Sequence, residues 1–320
     1  MTPRQWQKLF PQAQLNFPIS RVTTFGVGGL VAAYLPVETP EALMSAVIRA
    51  KQAKVKYLIL AGGSNVVFVD RRYPGLAIHY YSPQAACLVG NDSLTCNAGA
   101  KLSTLVASAV EAGLVGLESL SGIPGTVGGA IVGNAGAYGQ AISDHLAWVE
   151  VFDSTKQKTK ILSAQECRFA YRDSIFKHRP WLVLRANFKL TPGEAADLRR
   201  RSQEIIAVRE KKYPPGLRCP GSFFKNVRVA KVSKKSLRLI DSSKIIEGKI
   251  PAGYLLEAVG AKGRQIGGVL VSDVHGNLII NVGRARCGEV RRLAEQLRRA
   301  VFKRFGITLE EEVRYLGGAR

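Results

Sequence analysis

Two glycine-rich segments and three short polar ones hold the side chains and backbone groups best suited to chemistry. AGGSN at 61–65 follows an apolar run and offers successive N–H groups from flexible residues. Backbone without a Cβ can approach phosphate oxygens closely and bind them through main-chain donors. An isolated GGSN is more often an ordinary hairpin turn, because turn glycines are so common. SGIPGTVGGAIVGNAGAYG at 121–139 is harder to dismiss, with seven glycines in nineteen residues and Asn134 adding a side-chain amide. Such a stretch is entropically costly to order. It reads as chain wrapped around a ligand in preference to a small-residue packing seam. Two such segments in one region point to a long, phosphate-bearing cofactor. GSFFKN at 221–226 sets Ser222 between a glycine and two aromatics, followed by Lys225 and Asn226. It reads either as a buried aromatic strand with polar ends or as a hydroxyl held against substrate. YRDSIFK at 171–177 places Arg172 and Lys177 around a small polar core, and an Arg beside an Asp is usually a surface pair of little energetic value. In LEEEVRYLG at 309–317, Glu310 and Glu312 share one face of a strand and Glu311 the other, and a solvated acidic edge explains this motif alone.

The elements that must position these groups follow from periodicity. Pro40 to Lys54 has helical spacing, with Leu43, Ala46, Val47 and Ala50 on one face. It leads to a strand at 57–60, the AGGSN turn and a second strand, VVFV. A helix over about 102–112 ends at Gly113, and strands are expected at 147–153 and 181–190. A charged helix runs through 193–213, opened by Thr191 and Pro192 and stopped by Pro214, Pro215 and Gly216. Beyond it come a helix near 251–259, strands near 268–273 and 277–282, and a helix at 288–305. That last helix carries Val290, Leu293, Leu297, Val301 and Phe305 on one stripe, with Gly306 ending it. EEVRYLG reads as a final strand. The architecture is α+β in two domains, 1–192 and 193–320, with the boundary inside or just before the charged helix.

Composition excludes several classes. With 46% hydrophobic and 22% charged residues the 320-residue chain can bury a full core, so disorder is ruled out as its main state. Forty-six Lys and Arg against 24 Asp and Glu give +22, most of it after residue 160. That field favours polyanions, membrane surfaces or phosphorylated small molecules. The basic run from Lys225 to Lys249 matches no nucleic-acid motif and reads as a solvated face. Cys87, Cys96, Cys167, Cys219 and Cys287 are odd in number and widely spaced, so neither a disulfide framework nor a zinc site is expected, which suits a reducing cytosol. His79, His145, His178 and His275 show no pairing that suggests a metal or a Ser–His dyad. The N-terminus lacks a signal-peptide core, and the uncharged stretch from Ser119 to Ser143 is too rich in glycine for a membrane helix. A cytoplasmic protein is expected, with neither nucleic acid nor membrane as partner. No G-x-G-x-x-G or Walker loop is present.

Taken in order, TTFGVGG, LAGGSNVVF, GLESLSGIPGTVGGAIVGNAGAYG, ECRFAYRDSIFK, PGSFFKN, KIPAGYLLEAVGAKG, IGGVLVS and LEEEVRYLG resemble the UDP-N-acetylenolpyruvoylglucosamine reductase family, in its type II form. The resemblance covers about 20–317. It implies an N-terminal FAD-binding domain of the vanillyl-alcohol-oxidase type, of two α+β subdomains, then a smaller α+β substrate domain. It implies NADPH as hydride donor and the enolpyruvyl ether of UDP-N-acetylglucosamine as substrate, reduced in peptidoglycan precursor synthesis. The family's catalytic Arg falls on Arg172, its proton-donating Ser on Ser222 and its catalytic Glu on Glu312. FAD contacts fall on Ala61, Gly62, Gly63, Ser64 and Asn65, and on Gly122, Ile123, Gly125, Thr126, Gly128, Gly129 and Ala135. Lys225 and Asn226 belong to the substrate-facing motif, and no metal is implied. Neither glycine segment contains the His or Cys that a covalent flavin link needs, so FAD is expected to be non-covalent. The chain departs from the family pattern at Gly26, Cys219, Pro220, Val227 and Glu311. Two rivals remain: another FAD-linked oxidoreductase sharing the N-terminal domain, and a basic nucleotide- or nucleic-acid-binding protein.

Overall fold

The computed structural model describes residues 1–318. The chain divides into two compact units, each discontinuous in sequence. One comprises Met1–Phe17, Val31–Gly62 and Pro74–Pro214, and the other Pro18–Leu30, Gly63–Tyr73 and Pro215 onward.

In the first unit, a short helix α1 (Pro3–Leu9) precedes α2 (Pro40–Gln52). The Thr39 hydroxyl accepts from the Ala42 N–H at 3.1 Å, a cap that satisfies one of the free amides of the first turn, and Pro40 is pre-set for the first helical position. Leu43, Ala46, Val47 and Ala50 are buried, as the spacing requires. A four-stranded sheet runs in the order Gln14–Pro18, Leu30–Val37, Tyr73–Tyr80, Tyr57–Leu60, and its last pair is parallel with Leu60 opposite His79. A five-stranded antiparallel sheet runs Lys158–Ser163, Leu146–Asp153, Trp181–Lys189, Ser93–Asn97, Leu88–Val89. Helix α3 (Leu102–Glu111) ends before Gly113, whose φ of +66° suits a residue without a Cβ. The charged helix is α5 (Ala195–Lys212). Leu198 is its one fully buried residue, so it lies on the surface of this unit.

The stretch 121–139, expected as wrapping loop, contains a seven-residue helix, α4 (Val127–Gly133). Glycine costs a helix about 1 kcal/mol relative to alanine, so propensity argues against it. Packing overrides propensity here. The Thr126 hydroxyl caps the Gly129 N–H at 3.2 Å, and the Gly128 N–H donates to the Ala98 carbonyl at 2.8 Å. A Cβ on Gly128 would stand 2.8 Å from the Ala98 methyl, so only glycine lets the helix lie this close. Asn134, at φ +43°, closes it in the left-handed conformation.

A second correction concerns the cysteines. Cys87 and Cys96 form a disulfide with Cα atoms 4.6 Å apart, where no pairing was expected. The hairpin that aligns Leu88 with Thr95 brings the two opposite each other, and that register is not visible in their spacing alone. Cys167, Cys219 and Cys287 are free and buried.

His79 lies inside this unit, 7% exposed, with Nδ1 2.6 Å from the Tyr34 hydroxyl and its ring stacked on Tyr81. Burial pushes its pKa down to about 4. Between about 4 and the ordinary value near 6.5 the unfolded chain therefore binds a proton that the folded chain does not. Stability is full above that window and falls as the pH drops through it, by roughly 3 kcal/mol at most. Urea unfolding at pH 7.5 and 4.5 should show this loss, and His79→Gln should flatten it. An equally steep dependence in His79→Gln would assign the effect to other groups.

The second unit is built on α8 (Cys287–Phe305), with α6 (Lys234–Leu237) and α7 (Ala252–Ala258) before it. Val290, Leu293, Leu297, Val301 and Phe305 are all buried, and Gly306 at φ +65° ends the helix. The Asp70 carboxylate accepts from the N–H groups of Cys287 (2.8 Å) and Gly288 (3.2 Å), supplying the negative charge that a helix start favours. A three-stranded antiparallel sheet, Gln265–Ile266, Val269–Val271, Ile279–Asn281, packs on α8. The final strand is shorter than EEVRYLG suggested: Arg314–Leu316 pairs in parallel with Val66–Phe68. The acidic residues before it run along a different partner, described below.

Candidate active site

In the first unit the two glycine segments touch backbone to backbone. A Cβ on Gly62 would stand 2.7 Å from the Cα of Gly125, so the contact needs glycine at 62. Neighbouring bonds fix it: Leu102 N–H donates to the Gly125 carbonyl at 3.0 Å and Val127 N–H to the Ala100 carbonyl at 2.9 Å. The N–H groups of Gly62, Gly122 and Gly125 donate to nothing among the described residues, and all three glycines are exposed or half-buried. Backbone donors are seldom left without a partner, so a close-fitting cradle with three open donors suits a phosphate-bearing cofactor such as FAD. Ala61 and Ile123 are half-buried beside it. Gly129 is exposed, with only the Thr126 hydroxyl (3.4 Å) and the Ala61 methyl (3.7 Å) near the place of a Cβ. Gly128 faces Ala98 instead. Ala135 commits its amide to Ala130 and its carbonyl to Ile142.

Arg172 belongs to the same unit. Its φ of +56° is a left-handed conformation that costs a non-glycine residue roughly 1–2 kcal/mol, and such strain collects at functional sites. Its Nη2 donates to the Gly136 carbonyl at 2.9 Å and its Nη1 reaches the Asn134 carbonyl at 3.4 Å. Asn134 returns the connection by donating from Nδ2 to the Ala170 carbonyl at 3.0 Å. The segment after α4 thus clamps the loop carrying Arg172 and aims its guanidinium. Lys177 donates from Nζ to the Arg172 carbonyl, tying the loop from the other side.

The second unit gathers the other polar motifs. Gly221, at φ +83° with open space around it, sets up Ser222, which forms a bridge to Leu278. Phe223 and Phe224 are fully buried with rings edge to face, so Ser222 is anchored by its neighbours. Asn277 holds this segment in place: its carbonyl accepts from Phe223 N–H (3.0 Å), its Oδ1 from Phe224 N–H (2.8 Å), and its Nδ2 donates to the Phe224 carbonyl (2.8 Å). The acidic run lies along the same segment. Glu312 N–H donates to the Phe223 carbonyl (2.8 Å) and Lys225 N–H to the Glu310 carbonyl (2.9 Å), around a bridge between Phe224 and Glu311. Ser222, Lys225 and Glu312 therefore sit on two adjoining extended segments.

Several residues take unexpected partners. The Lys225 ammonium pairs with the Glu310 carboxylate. Asn226 accepts the Ala252 N–H at the start of α7 through Oδ1 (3.1 Å). Asn65 donates from Nδ2 to the Glu312 carbonyl (3.1 Å), while its own carbonyl accepts from Arg314 (3.1 Å), so it holds the Glu312 segment. Gly63 packs on the Val22 carbonyl, and its own carbonyl accepts from Thr24 N–H. Ser64 is half-buried. Asn277 went unnoticed in the sequence, where it only opens the strand expected near 277–282. Among the described residues no group of three His, Cys, Asp or Glu could hold a metal ion, and no helix is long and apolar enough to cross a membrane.

Comparison with known proteins adds to this geometry. Residues 20–158 match the FAD binding domain family, and 213–316 match the C-terminal domain family of UDP-N-acetylenolpyruvoylglucosamine reductase. The chain is 38% identical to the reductase of that name from Solibacter usitatus, over 94% of this chain and 95% of that one. It is 35% identical to the one from Rubrobacter xylanophilus, over 97% of each. The crystal structure of the UDP-N-acetylenolpyruvylglucosamine reductase from Thermus caldophilus superimposes with a TM-score of 0.72 at 30% identity, covering 95% of this chain and 99% of that one.

Proposed function

The chain belongs to the UDP-N-acetylenolpyruvoylglucosamine reductase family, and on that premise we propose that Arg172, Ser222 and Glu312 carry its chemistry. The protein is an FAD-dependent oxidoreductase that uses NADPH to reduce the enolpyruvyl ether of UDP-N-acetylglucosamine to UDP-N-acetylmuramate, in peptidoglycan precursor synthesis. The rival FAD-linked oxidoreductase would share only the N-terminal domain, whereas the relatives match over nearly the whole chain, and the basic nucleotide- or nucleic-acid-binding reading leaves the FAD binding domain match unexplained.

The residues that would hold FAD are Ala61 to Asn65, with Gly122, Ile123, Gly125, Thr126, Gly128, Gly129 and Ala135. Bound there, FAD would supply the redox chemistry, as the carrier of hydride from NADPH to the enolpyruvyl carbon. Hydride addition at C3 builds negative charge at C2, which spreads onto the carboxylate. Arg172 stabilises that charge, since a guanidinium stays protonated and arrives already aimed by Gly136 and Asn134. Ser222 delivers the proton to C2. Glu312 assists as a neutral acid or through water, because a second carboxylate would repel the developing charge. Lys225 and Asn226 face the substrate. FAD binding is assigned to 1–192 and substrate binding to 193–320. The excess of basic residues favours two anionic ligands, NADPH and the sugar nucleotide, with neither nucleic acid nor membrane as partner. The cytoplasm is the compartment this reading proposes.

The observation that carries the cofactor reading is the backbone contact of Gly62 with Gly125, flanked by uncommitted amides. The purified protein should be yellow, and acid precipitation should release the colour into the supernatant. Colour retained in the pellet would contradict non-covalent binding, and a colourless protein that cannot be reconstituted with FAD would contradict the reading altogether.

A further inference from the structure

Helix α5 shows most of its arginines to water but turns Arg209 inward, half-buried. Its Cδ and Nε lie against the open side of Gly122, where a Cβ would stand 3.3 and 3.4 Å away. Its guanidinium carbon lies 5.6 Å from the centre of the Tyr213 ring. Nε is buried without a hydrogen-bond partner, and no carboxylate among the described residues pairs with this side chain. Burial holds its pKa below the ordinary arginine value; the Tyr213 and Tyr138 phenols oppose this, and the like charge of Arg172 adds to it. A guanidinium with a buried, orphaned Nε and no counter-ion is unfavourable unless an anion joins it. The surroundings suit such a visitor. Gly122 at φ +71° offers an uncommitted N–H beside Arg209, and Arg172 is fixed by the segment that carries Asn134 and Gly136.

We propose that Arg209, together with the open N–H of Gly122, seats an oxyanion, supplied by the FAD diphosphate or by the carboxylate of the enolpyruvyl substrate. This rests on the assignment of the 121–129 segment to FAD and of Arg172 to the enolpyruvyl group. Arg209 is then a ligand-binding residue in its own right, recruited from a helix whose sequence reads only as charged.

Arg209→Met keeps the stem that packs on Gly122 and removes the charge and donors, while Arg209→Lys keeps the charge. Both are made in the full chain. FAD affinity is read on apoprotein by quenching of flavin fluorescence, and substrate affinity on holoprotein by the shift of the flavin absorbance. A lost charge-assisted contact should weaken one ligand roughly 10- to 100-fold. Weaker FAD with unchanged substrate identifies the diphosphate, and the reverse identifies the carboxylate. In either case Arg209→Lys should recover part of the loss. Both affinities within about twofold of wild type in Arg209→Met would overturn the proposal. So would Arg209→Lys failing as badly as Arg209→Met, since shape and not charge would then matter. If Arg209→Met does not fold, Arg209→Gln is read against the same expectations. Wild-type protein that takes up no FAD would instead defeat the cofactor assignment, leaving the two failures distinct.

Discussion

Ser222→Ala is expected to leave reduction of bound FAD by NADPH within about twofold of wild type. Its reoxidation by the enolpyruvyl substrate should slow by about 10²–10⁴, the usual cost of a lost general acid. The separation follows from the proposed role, because the hydroxyl acts only when C2 takes its proton. The backbone at 221–225 is held by main-chain and side-chain bonds of Asn277, by the Glu312 N–H and by two buried rings. Ser222→Cys should recover part of the rate, as a thiol can donate from nearly the same place. Stopped-flow absorbance in the flavin band follows each half-reaction. Slowing confined to the NADPH half would make Ser222 a dinucleotide contact and move the proton donor to Glu312.

Arg172→Met should lower turnover about 10²–10³-fold, comparable with removal of a pre-aimed oxyanion donor, with a smaller effect on substrate affinity. Arg172→Lys should recover little. The guanidinium spends Nη2 on the Gly136 carbonyl (2.9 Å) and reaches the Asn134 carbonyl (3.4 Å) through Nη1. A lysine ammonium is a point donor and cannot span both while facing a carboxylate. Steady-state kcat and KM, with substrate affinity measured separately, test this. Full turnover in Arg172→Lys would show that charge alone suffices and that the clamp is incidental.

Much of the fold was legible in the sequence because its helices and strands carry their own periodicity. The stripe from Val290 to Phe305 and its stop at Gly306 appear where the pattern put them, as do α2, α3 and the strands at 57–60 and 181–189. A buried face must recur at the period of its own backbone, so local order is enough to read it. The motif residues were legible for a related reason: glycine where backbones touch, as at Gly62 against Gly125, leaves no room for a side chain at 62.

What tertiary structure alone decided is who meets whom. Helix α4 exists because Gly128 fits against Ala98, against its own propensity. Cys87 meets Cys96 because a hairpin register sets them opposite. Asn65 binds the Glu312 carbonyl across 247 residues of sequence, Asn277 fastens both phenylalanines after Ser222, and Asp70 caps a helix that begins 217 residues later. Arg209 turns inward from a helix whose sequence reads only as charged. None of these partners is encoded by spacing, since a polar side chain is satisfied by whatever donor or acceptor the packed core brings within reach. The sequence determined the elements and the chemical types of the site; the packing of distant segments determined which of those groups are aimed, which are spent on holding others, and which are left open for a ligand.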